Sequence, residues 1–372
     1  MVGQYPLVFS PIYKEMLWGG SRLNTLYNRL LPSNKTGESW DISCRPGEMG
    51  IIENGPAAGM AFDEYIAQDR AGILGTRLAK EERFPLLVKI IDANDVLSVQ
   101  VHPDDKYVTK KGESPGALWH PADTGKAEMW YILTPPTSGN LIIGLKPGIT
   151  PGILRQAYEN GTVEDCLNPL PVKAGDIVNI PPGLIHALTP GVMVAEVQQN
   201  SDITYRLYDY NRLGLDGKPR QLHVDDAIAV ADFEGKLSKT TVQGLSIKKD
   251  GCTMVYTIVN PHFAAIKYEL ESKHEETSDP GAFCIYTCVE GEAAVVPSGT
   301  LQSGCVDGVN LVAGRSVFIP AGLGGYALWP KHGKPCVLLK SFVPDIYSGF
   351  VYPLRQYGYT DADIISKTIV SP

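Results

Sequence analysis

Gly175-Asp-Ile-Val-Asn-Ile-Pro-Pro-Gly-Leu-Ile-His186 is a stretch that the sequence repeats about 140 residues later, as Gly314-Arg-Ser-Val-Phe-Ile-Pro-Ala-Gly-Leu-Gly-Gly325. Six of the twelve positions are identical, and three of these six are Gly or Pro. In each copy a glycine opens a short strand, a proline ends it, and a second glycine turns the chain into the next strand. The repeat predicts two related β-barrel domains; the alternative is two unrelated Pro/Gly turns.

The rest of the chain is also rich in short strand patterns. Apolar segments are separated by Gly, Pro, Asn and Asp, the residues that favour turns. We predict strands over 84–93, 96–101, 128–133, 177–180, 192–198, 254–258, 283–289, 293–296, 316–319 and 336–342. Short helices are predicted over 62–69, 71–78, 153–158 and 224–230. These elements indicate a mainly β protein that folds as sandwiches or small barrels.

The composition limits the classes of protein that this chain can belong to. Its 372 residues suggest two or three domains, at roughly 100–200 residues per domain. A net charge of −8 argues against a nucleic-acid-binding protein, and no apolar run reaches the ~18 residues of a transmembrane helix. The N-terminal segment lacks the basic and apolar regions of a secretory signal, and the seven cysteines are scattered. We therefore expect a cytoplasmic protein without nucleic-acid or membrane partners.

Three places in the chain carry candidate metal ligands. Gln100 and His102 stand two apart on a predicted strand and hence on one face. Lys126 and Glu128 have the same spacing and are expected on one face of another strand, and His186 follows the Pro-Gly turn. Two imidazoles, a carboxylate and a weaker amide ligand suit zinc and leave a position for water or substrate, as in catalytic sites. The alternative is that each histidine is a satisfied structural residue.

The strand after His186 has an unusual polar face. Every second position from Glu196 to Arg206 is polar, although Asn200-Ser-Asp202 is expected to break the strand. This pattern is typical either of a solvated sheet face or of the polar inner wall of a barrel.

These motifs resemble those of the type I mannose-6-phosphate isomerases of the cupin superfamily, and most closely the short bacterial form. The resemblance runs from about residue 5 to residue 230 and rests on Gln100-Val-His102-Pro-Asp, Lys126-Ala-Glu128-Met-Trp, Pro181-Pro-Gly-Leu-Ile-His186, Glu196-Val-Gln-Gln-Asn-Ser-Asp-Ile-Thr-Tyr-Arg206, Gly37-Glu38-Ser-Trp-Asp-Ile-Ser and Trp18-Gly-Gly. It implies two jelly-roll barrel domains of the cupin type with a few short helices. Beyond residue 230 only the general cupin repeat is left.

The resemblance also implies a reaction and a cofactor. The reaction interconverts mannose 6-phosphate and fructose 6-phosphate by moving a proton between C2 and C1 through a cis-enediol. One zinc ion per chain is implied, in the first domain only, with the ligands Gln100, His102, Glu128 and His186. A small sugar phosphate is the implied partner.

The implied active site contains six further residues: Arg206 and Lys126 as catalytic residues, and Lys89, Glu38, Trp18 and Glu196 as substrate-binding residues. We predict that Lys126 is the base that accepts the C2 proton. Arg206 and Lys89 are the candidates for binding the phosphate. Arg206 can instead stabilise the enediolate, and both roles stay open at this point.

A polar stretch without periodicity, over 235–250, is the predicted domain boundary. We expect residues 1–235 to form the catalytic, metal-binding domain and residues 245–372 to form a degenerate cupin-like domain. Gly325 replaces the histidine of the first copy, so we expect a structural second domain without metal. Two other functions fit such barrels: a metal-dependent cupin oxygenase and a non-catalytic sugar-binding bicupin.

Overall fold

A computed structural model describes residues 4–112, 124–237, 239–298 and 308–370. The expected mainly β fold is confirmed. The strands are β1 (Phe9–Ser10), β2 (Ile12–Gly20), β3 (Thr36–Ile42), β4 (Cys44–Arg45), β5 (Glu48–Met49), β6 (Ile51–Ile52), β7 (Leu86–Asp92), β8 (Val99–Val101), β9 (Glu128–Thr134), β10 (Asn140–Leu145), β11 (Leu167–Pro171), β12 (Ile177–Ile180), β13 (His186–Ala187), β14 (Met193–Gln199), β15 (Tyr205–Tyr208), β16 (Leu245–Lys249), β17 (Cys252–Val259), β18 (Ala264–Leu270), β19 (His274–Thr277), β20 (Cys284–Glu290), β21 (Glu292–Pro297), β22 (Val309–Val312), β23 (Ser316–Ile319), β24 (Gly325–Pro330), β25 (Cys336–Phe342) and β26 (Ile369–Val370).

The helices are short. They are α1 (Arg22–Tyr27), α2 (Phe62–Gln68), α3 (Arg70–Leu74), α4 (Asp105–Gly112), α5 (Pro151–Glu159) and α6 (Val224–Val230), followed by Tyr352–Gln356 and Asp361–Lys367. The helix predicted over 71–78 ends four residues early, because the next residue, Gly75, adopts a φ of 100° that a helix does not allow. No helix among the described residues has both the length and the apolar character needed to cross a membrane.

The chain divides into two compact units, each assembled from separate segments. Residues 13–39 and 89–241 form one, here called the central unit; residues 1–12, 40–88 and 242–372 form the other, here called the terminal unit. The change of unit at residues 241 and 242 falls within the stretch predicted as a boundary. The expected catalytic and C-terminal domains, 1–235 and 245–372, stay predictions.

Two sheets hold most of the central unit. One has the strand order β12-β9-β14-β7-β3-β2, and the other has the order β11-β10-β13-β8-β15. Strand β9 pairs antiparallel with both β12 and β14, so Glu128 lies opposite Ile180 on one side and Gln198 on the other. Aliphatic and indole side chains fill the core between the polar positions, among them Trp130 and Val194 of β14.

Two further sheets hold most of the terminal unit, with the orders β16-β17-β18-β25-β20-β23 and β19-β24-β21-β22. Strand β26 pairs parallel with β17. Buried phenylalanine rings pack closely: Phe318 lies 5.2 Å from Phe62 and 5.0 Å from Phe283 between ring centroids. Such aromatic pairs add to the stabilisation that burial provides.

The two copies of the repeat occupy the same place in their sheets. In the central unit, β12 and β13 flank the Pro-Pro-Gly turn and belong to different sheets. In the terminal unit, β23 and β24 flank the Pro-Ala-Gly turn in the same way. His186 opens β13 and Gly325 opens β24, while Cys284 pairs with Ile319 as Glu128 pairs with Ile180. The terminal unit thus has Gly and Cys where the central unit has His and Glu.

The cysteines among the described residues form no disulfide bond. Those among the described residues are free thiols, most of them buried: Cys44, Cys166, Cys252, Cys284, Cys288 and Cys336. Cys305 lies outside the described residues.

Candidate metal centre and active site

Three strand ends bring His102, Glu128 and His186 together. His102 follows β8 directly, Glu128 is the first residue of β9, and His186 is the first residue of β13. Strand β13 pairs with β8 so that His186 lies opposite Gln100. Directly paired residues of antiparallel strands have neighbouring side chains on one face. Ligands that are far apart in the sequence therefore meet at one place.

The three side chains form a compact, buried group. His102 Nε2 lies 3.4 Å from Glu128 Oε1, and His186 Nε2 lies 3.7 Å from Glu128 Oε2. One ligand atom from each residue lies within 4.8 Å of the others. Each of the three residues is 1% exposed. A divalent metal is the ordinary reason for burying such a group.

Hydrogen bonds orient both imidazoles toward this point. The Nδ1–H of His102 donates to the carbonyl of Ile203 at 2.7 Å, and the Nδ1–H of His186 donates to the carbonyl of Leu184 at 2.8 Å. Each Nε2 therefore presents its lone pair, as metal-binding histidines do when a carbonyl holds the other nitrogen. Glu128 Oε2 is buried without a hydrogen-bond partner among the described residues. A bound cation would satisfy this oxygen.

The charge states suit a cation as well. Burial and the nearby Lys126 lower the pKa of His102, and burial and His102 lower the pKa of His186 to about 3. Burial alone would raise the pKa of Glu128, but Lys126 and His102 hold it well below its usual value. At neutral pH the group consists of two neutral imidazoles and a carboxylate, which is a ligand set that zinc prefers.

Gln100 completes the ligands predicted from the sequence. Its amide nitrogen lies 3.3 Å from His186 Nε2, and its amide oxygen is 3.4 Å from the Ser98 hydroxyl. Rotation of the amide by half a turn presents the oxygen to His186. The group of His102, Glu128 and His186 thus fits a divalent metal, and the role of Gln100 as a fourth, weaker ligand stays a prediction.

Lys126 lies directly beside the ligands. It precedes β9 rather than lying on it, and its Nζ is 2.7 Å from Glu128 Oε1 and 3.5 Å from His102 Nε2. The residue is 4% exposed. Its position fits a role at the reacting atoms, and its role as the base stays a prediction.

A second buried network joins three of the residues predicted to bind substrate. Lys89 Nζ lies 3.4 Å from Glu38 Oε2 and 3.4 Å from Glu196 Oε2. The indole Nε1–H of Trp130 donates to Glu196 Oε1 at 2.8 Å, and its ring contacts His186 edge to face at 5.4 Å. Trp130 thus connects this network to the metal ligands, a link that the sequence analysis did not identify.

Glu196 has unusual electrostatics for a carboxyl group. Burial and the neighbouring Glu128 raise its pKa to about 7, although Lys89 acts in the opposite direction. Glu196 and Gln198 are 3% and 0% exposed. The polar face predicted for this strand is therefore buried and not solvated, and the strand ends at Gln199 before β15 begins.

Arg206 is placed on β15, opposite Gln100 of β8. Its Nη1 donates to the carbonyl of Gln221 at 2.7 Å, and its backbone N–H donates to His223 Nδ1 at 3.3 Å. Two arginines of the following loop, Arg212 and Arg220, lie near it. They went unnoticed in the sequence because no periodicity marks that loop.

Trp18 lies in the hydrophobic core of the central unit. It is 3% exposed and packs in one cluster with Trp130, Ile91 and Leu184. Its predicted contact with substrate stays a prediction.

The turn before His186 offers a test of how the site is positioned. Gly183 has a φ of 89°, and its N–H donates to the carbonyl of His102 at 2.8 Å. A Cβ at this position would lie 3.0 Å from the carbonyl oxygen of Val230. We expect Gly183→Ala to lower the free energy of unfolding by about 1–3 kcal/mol, measured by chemical denaturation.

Gly217→Ala is the matched control for this turn. Gly217 has a φ of 74°, and a Cβ there meets nothing within 4 Å. Gly217→Ala should therefore lower the free energy of unfolding only by the cost of the left-handed backbone conformation. An equal loss in both variants would mean that the contact with Val230 contributes nothing.

Comparison with known proteins agrees with this site. The model of the phosphomannose isomerase type I catalytic domain matches residues 7–140. A probable mannose-6-phosphate isomerase of Bacillus subtilis (strain 168) is 33% identical over 325 residues, which are 87% of this chain and 96% of that protein. A mannose-6-phosphate isomerase of Streptococcus mutans is 37% identical over 265 residues, covering 71% of this chain and 79% of that protein.

A solved structure gives the same result for the fold. The crystal structure of the mannose 6-phosphate isomerase from Bacillus subtilis superposes with a TM-score of 0.78 at 29% identity, covering 91% of this chain and 99% of that one. The motifs, the buried His-Glu-His group and these likenesses lead to one conclusion: the chain belongs to the type I mannose-6-phosphate isomerase family.

Proposed function

We propose that this chain interconverts mannose 6-phosphate and fructose 6-phosphate with one zinc ion held by Gln100, His102, Glu128 and His186. The buried group of two neutral imidazoles and a carboxylate, in a chain of this family, carries the proposal. When bound, the metal supplies a Lewis acid for the sugar oxygens at C1 and C2. The polar inner wall around it is suited to a sugar.

The chain's own residues supply the proton transfer. The reaction needs a group that takes the C2 proton and returns it to C1, and such a group works best with a pKa near the working pH. Glu196 has this property, with a pKa raised to about 7. Lys126 is the candidate from the sequence and lies 2.7 Å from the ligand Glu128. As an ammonium ion, Lys126 would instead stabilise negative charge that develops on the substrate oxygens.

The orienting residues are also in place. Lys89 holds Glu196 from one side, and Trp130 holds it from the other. Because all three side chains are buried, the carboxylate is fixed before substrate arrives, which lowers the cost of reorganisation in the reaction. We assign residues 1–235 to the catalytic region and residues 245–372 to a supporting domain. The cytoplasm is the proposed compartment, in keeping with the free thiols of the described residues.

A coupled assay tests the proposed function. We expect the purified protein to convert mannose 6-phosphate to fructose 6-phosphate, to lose this activity on chelation, and to regain it with zinc. Metal analysis of the same samples reports the stoichiometry. Protein that carries one metal per chain and shows no turnover would contradict the proposed reaction, and oxygen consumption with an iron-loaded sample would then test the oxygenase alternative.

A further inference from the structure

A cluster of arginines follows β15, next to the proposed active site. Asp209 accepts hydrogen bonds from Arg220 Nε at 2.7 Å and from Arg212 Nε at 3.1 Å. Asp209 is 5% exposed. One buried carboxylate therefore holds two guanidinium groups, and Arg206 on the neighbouring strand is a third.

The cluster has more positive charge than its carboxylates neutralise. Besides Asp209, the carboxylate near the cluster in the described part of the chain is Asp95, whose Oδ2 is 4.0 Å from Arg212 Nη1 and whose side chain is 60% exposed. Burial and the nearby Arg220 lower the pKa of Arg206, which shows that the like charges repel each other. Positive charge concentrated in this way favours the binding of an anion, even though the whole chain has a net charge of −8.

The arginines also have unused hydrogen-bond donors. Nε of Arg206 and Nη1 of Arg212 are buried without a hydrogen-bond partner among the described residues, whereas Nη2 of Arg212 lies 3.0 Å from Asp209 Oδ1. Buried N–H groups are nearly always paired, because leaving one unpaired costs about 1–3 kcal/mol. A ligand with several acceptor oxygens would satisfy these donors.

The backbone next to the cluster is strained in a way that brings Arg212 back toward Asp209. Tyr210 and Asn211 are consecutive residues with φ of 57° and 52°, a left-handed conformation that costs non-glycine residues energy. The turned chain places the Arg212 guanidinium 5.8 Å from the centroid of the Tyr210 ring. Strain of this kind persists where the surrounding structure enforces it, and it is common at ligand-binding sites.

Strand register connects the cluster to the metal centre. Arg206 lies directly opposite Gln100, so both side chains leave the sheet on the same face. Lys89, the other phosphate candidate from the sequence, is already paired with two carboxylates, Glu38 and Glu196. The charge of Lys89 is therefore neutralised by these carboxylates, whereas the charge of the arginine cluster is neutralised only in part.

We propose that Arg212 and Arg220, held by Asp209, join Arg206 to form the subsite for the phosphate of the sugar phosphate. The ligand class is a phosphate monoester dianion, for which guanidinium groups provide paired N–H donors. The cluster sets the specificity for phosphorylated over free sugars. This inference rests on the proposed function for the identity of the sugar, but not for the binding of phosphate.

Kinetics of Arg212→Gln and Arg220→Gln test the subsite in the zinc-loaded enzyme. We expect each variant to raise KM for mannose 6-phosphate about 10-fold or more, the effect of losing ~1.4 kcal/mol of binding. kcat should change less than threefold, and the inhibition constant of inorganic phosphate should rise in parallel with KM. Arg212→Lys and Arg220→Lys should recover part of the lost affinity.

Arg155→Gln is the matched control, since Arg155 is an exposed arginine that pairs with Asp225. It should leave KM and phosphate inhibition unchanged. Unchanged KM and phosphate inhibition in both cluster variants would overturn the proposal. So would a loss of metal or thermal stability that accounts for the whole change, since that would make the cluster a structural latch.

Thermal protection by inorganic phosphate separates the two proposals. Phosphate should raise the melting temperature of the zinc-loaded protein, and the cluster variants should lose this shift while the Arg155→Gln variant keeps it. If the protein has no isomerase activity but shows this pattern, the subsite stands and the proposed reaction fails. If it isomerises mannose 6-phosphate while the cluster variants keep full protection, the reaction stands and the subsite fails.

Discussion

Replacing His186 by Ala should remove the metal and with it at least about 10³-fold of the isomerase rate. His186 supplies one of the two neutral imidazole nitrogens in the buried group. Its replacement removes the Nε2 atom that lies 3.7 Å from Glu128 Oε2. A catalytic metal contributes several kcal/mol of charge stabilisation, and each 1.36 kcal/mol corresponds to about tenfold in rate. Metal content by mass spectrometry and the coupled assay measure the two effects together.

The control for this variant is His332→Asn. His332 is an exposed histidine with a φ of 57°, a conformation that asparagine tolerates. It should retain both metal and activity. An active His186→Ala protein that contains no metal would show that the reaction does not depend on this centre.

The sequence predicted the group of His102, Glu128 and His186 because each of these three residues stands at a strand end marked by local chemistry. The Pro-Pro-Gly turn placed His186 at the start of a strand, and β12 and β23 occur over the predicted residues. The Gln-Val-His spacing likewise put Gln100 and His102 on one face. Turn chemistry and alternation are local signals, so they survive in a single sequence.

Contacts between distant strands could not be predicted in the same way. Lys89 and Glu38 stay predicted substrate-binding residues, but the ion pair between them could not be predicted, because they lie on β7 and β3 and are separated by 51 positions in the sequence. The sequence assigned no role to Trp130, and only the register of β9 against β14 shows that its indole holds Glu196. Register depends on which strands become neighbours, and the pattern of one strand does not determine that.

The arginine cluster was missed for a different physical reason. Arg212 and Arg220 lie in an irregular loop, where side-chain direction follows from individual φ and ψ values rather than from a period. The left-handed residues Tyr210 and Asn211 direct this loop, and neither residue type requires that conformation. The net charge of −8 gives no sign of a positively charged site, because the chain as a whole is acidic.

Glu196→Gln should reduce kcat by about 10²–10⁴-fold if Glu196 transfers the proton, which is the usual contribution of a general base. The change keeps the volume of the side chain and an oxygen for the Trp130 N–H. Lys89 keeps its contact with Glu38, so the network should stay folded. KM and metal content should therefore change little. Lys126→Met, tested in parallel, should lower the rate but keep the fall of kcat/KM at low pH.

The pH profile identifies the base. A carboxyl group acts as a base only when ionised, so kcat/KM should fall as the pH drops through the pKa of Glu196. Burial and Glu128 raise that pKa to about 7, and a cation bound to Glu128 would offset the second effect, so the acid limb should lie at or below pH 7. The limb should disappear in Glu196→Gln and persist in Glu234→Gln, which alters an exposed carboxylate paired with Lys236. A Glu196→Gln enzyme that keeps both its rate and its acid limb, beside an inactive Lys126→Met enzyme with normal metal content, would make Lys126 the base.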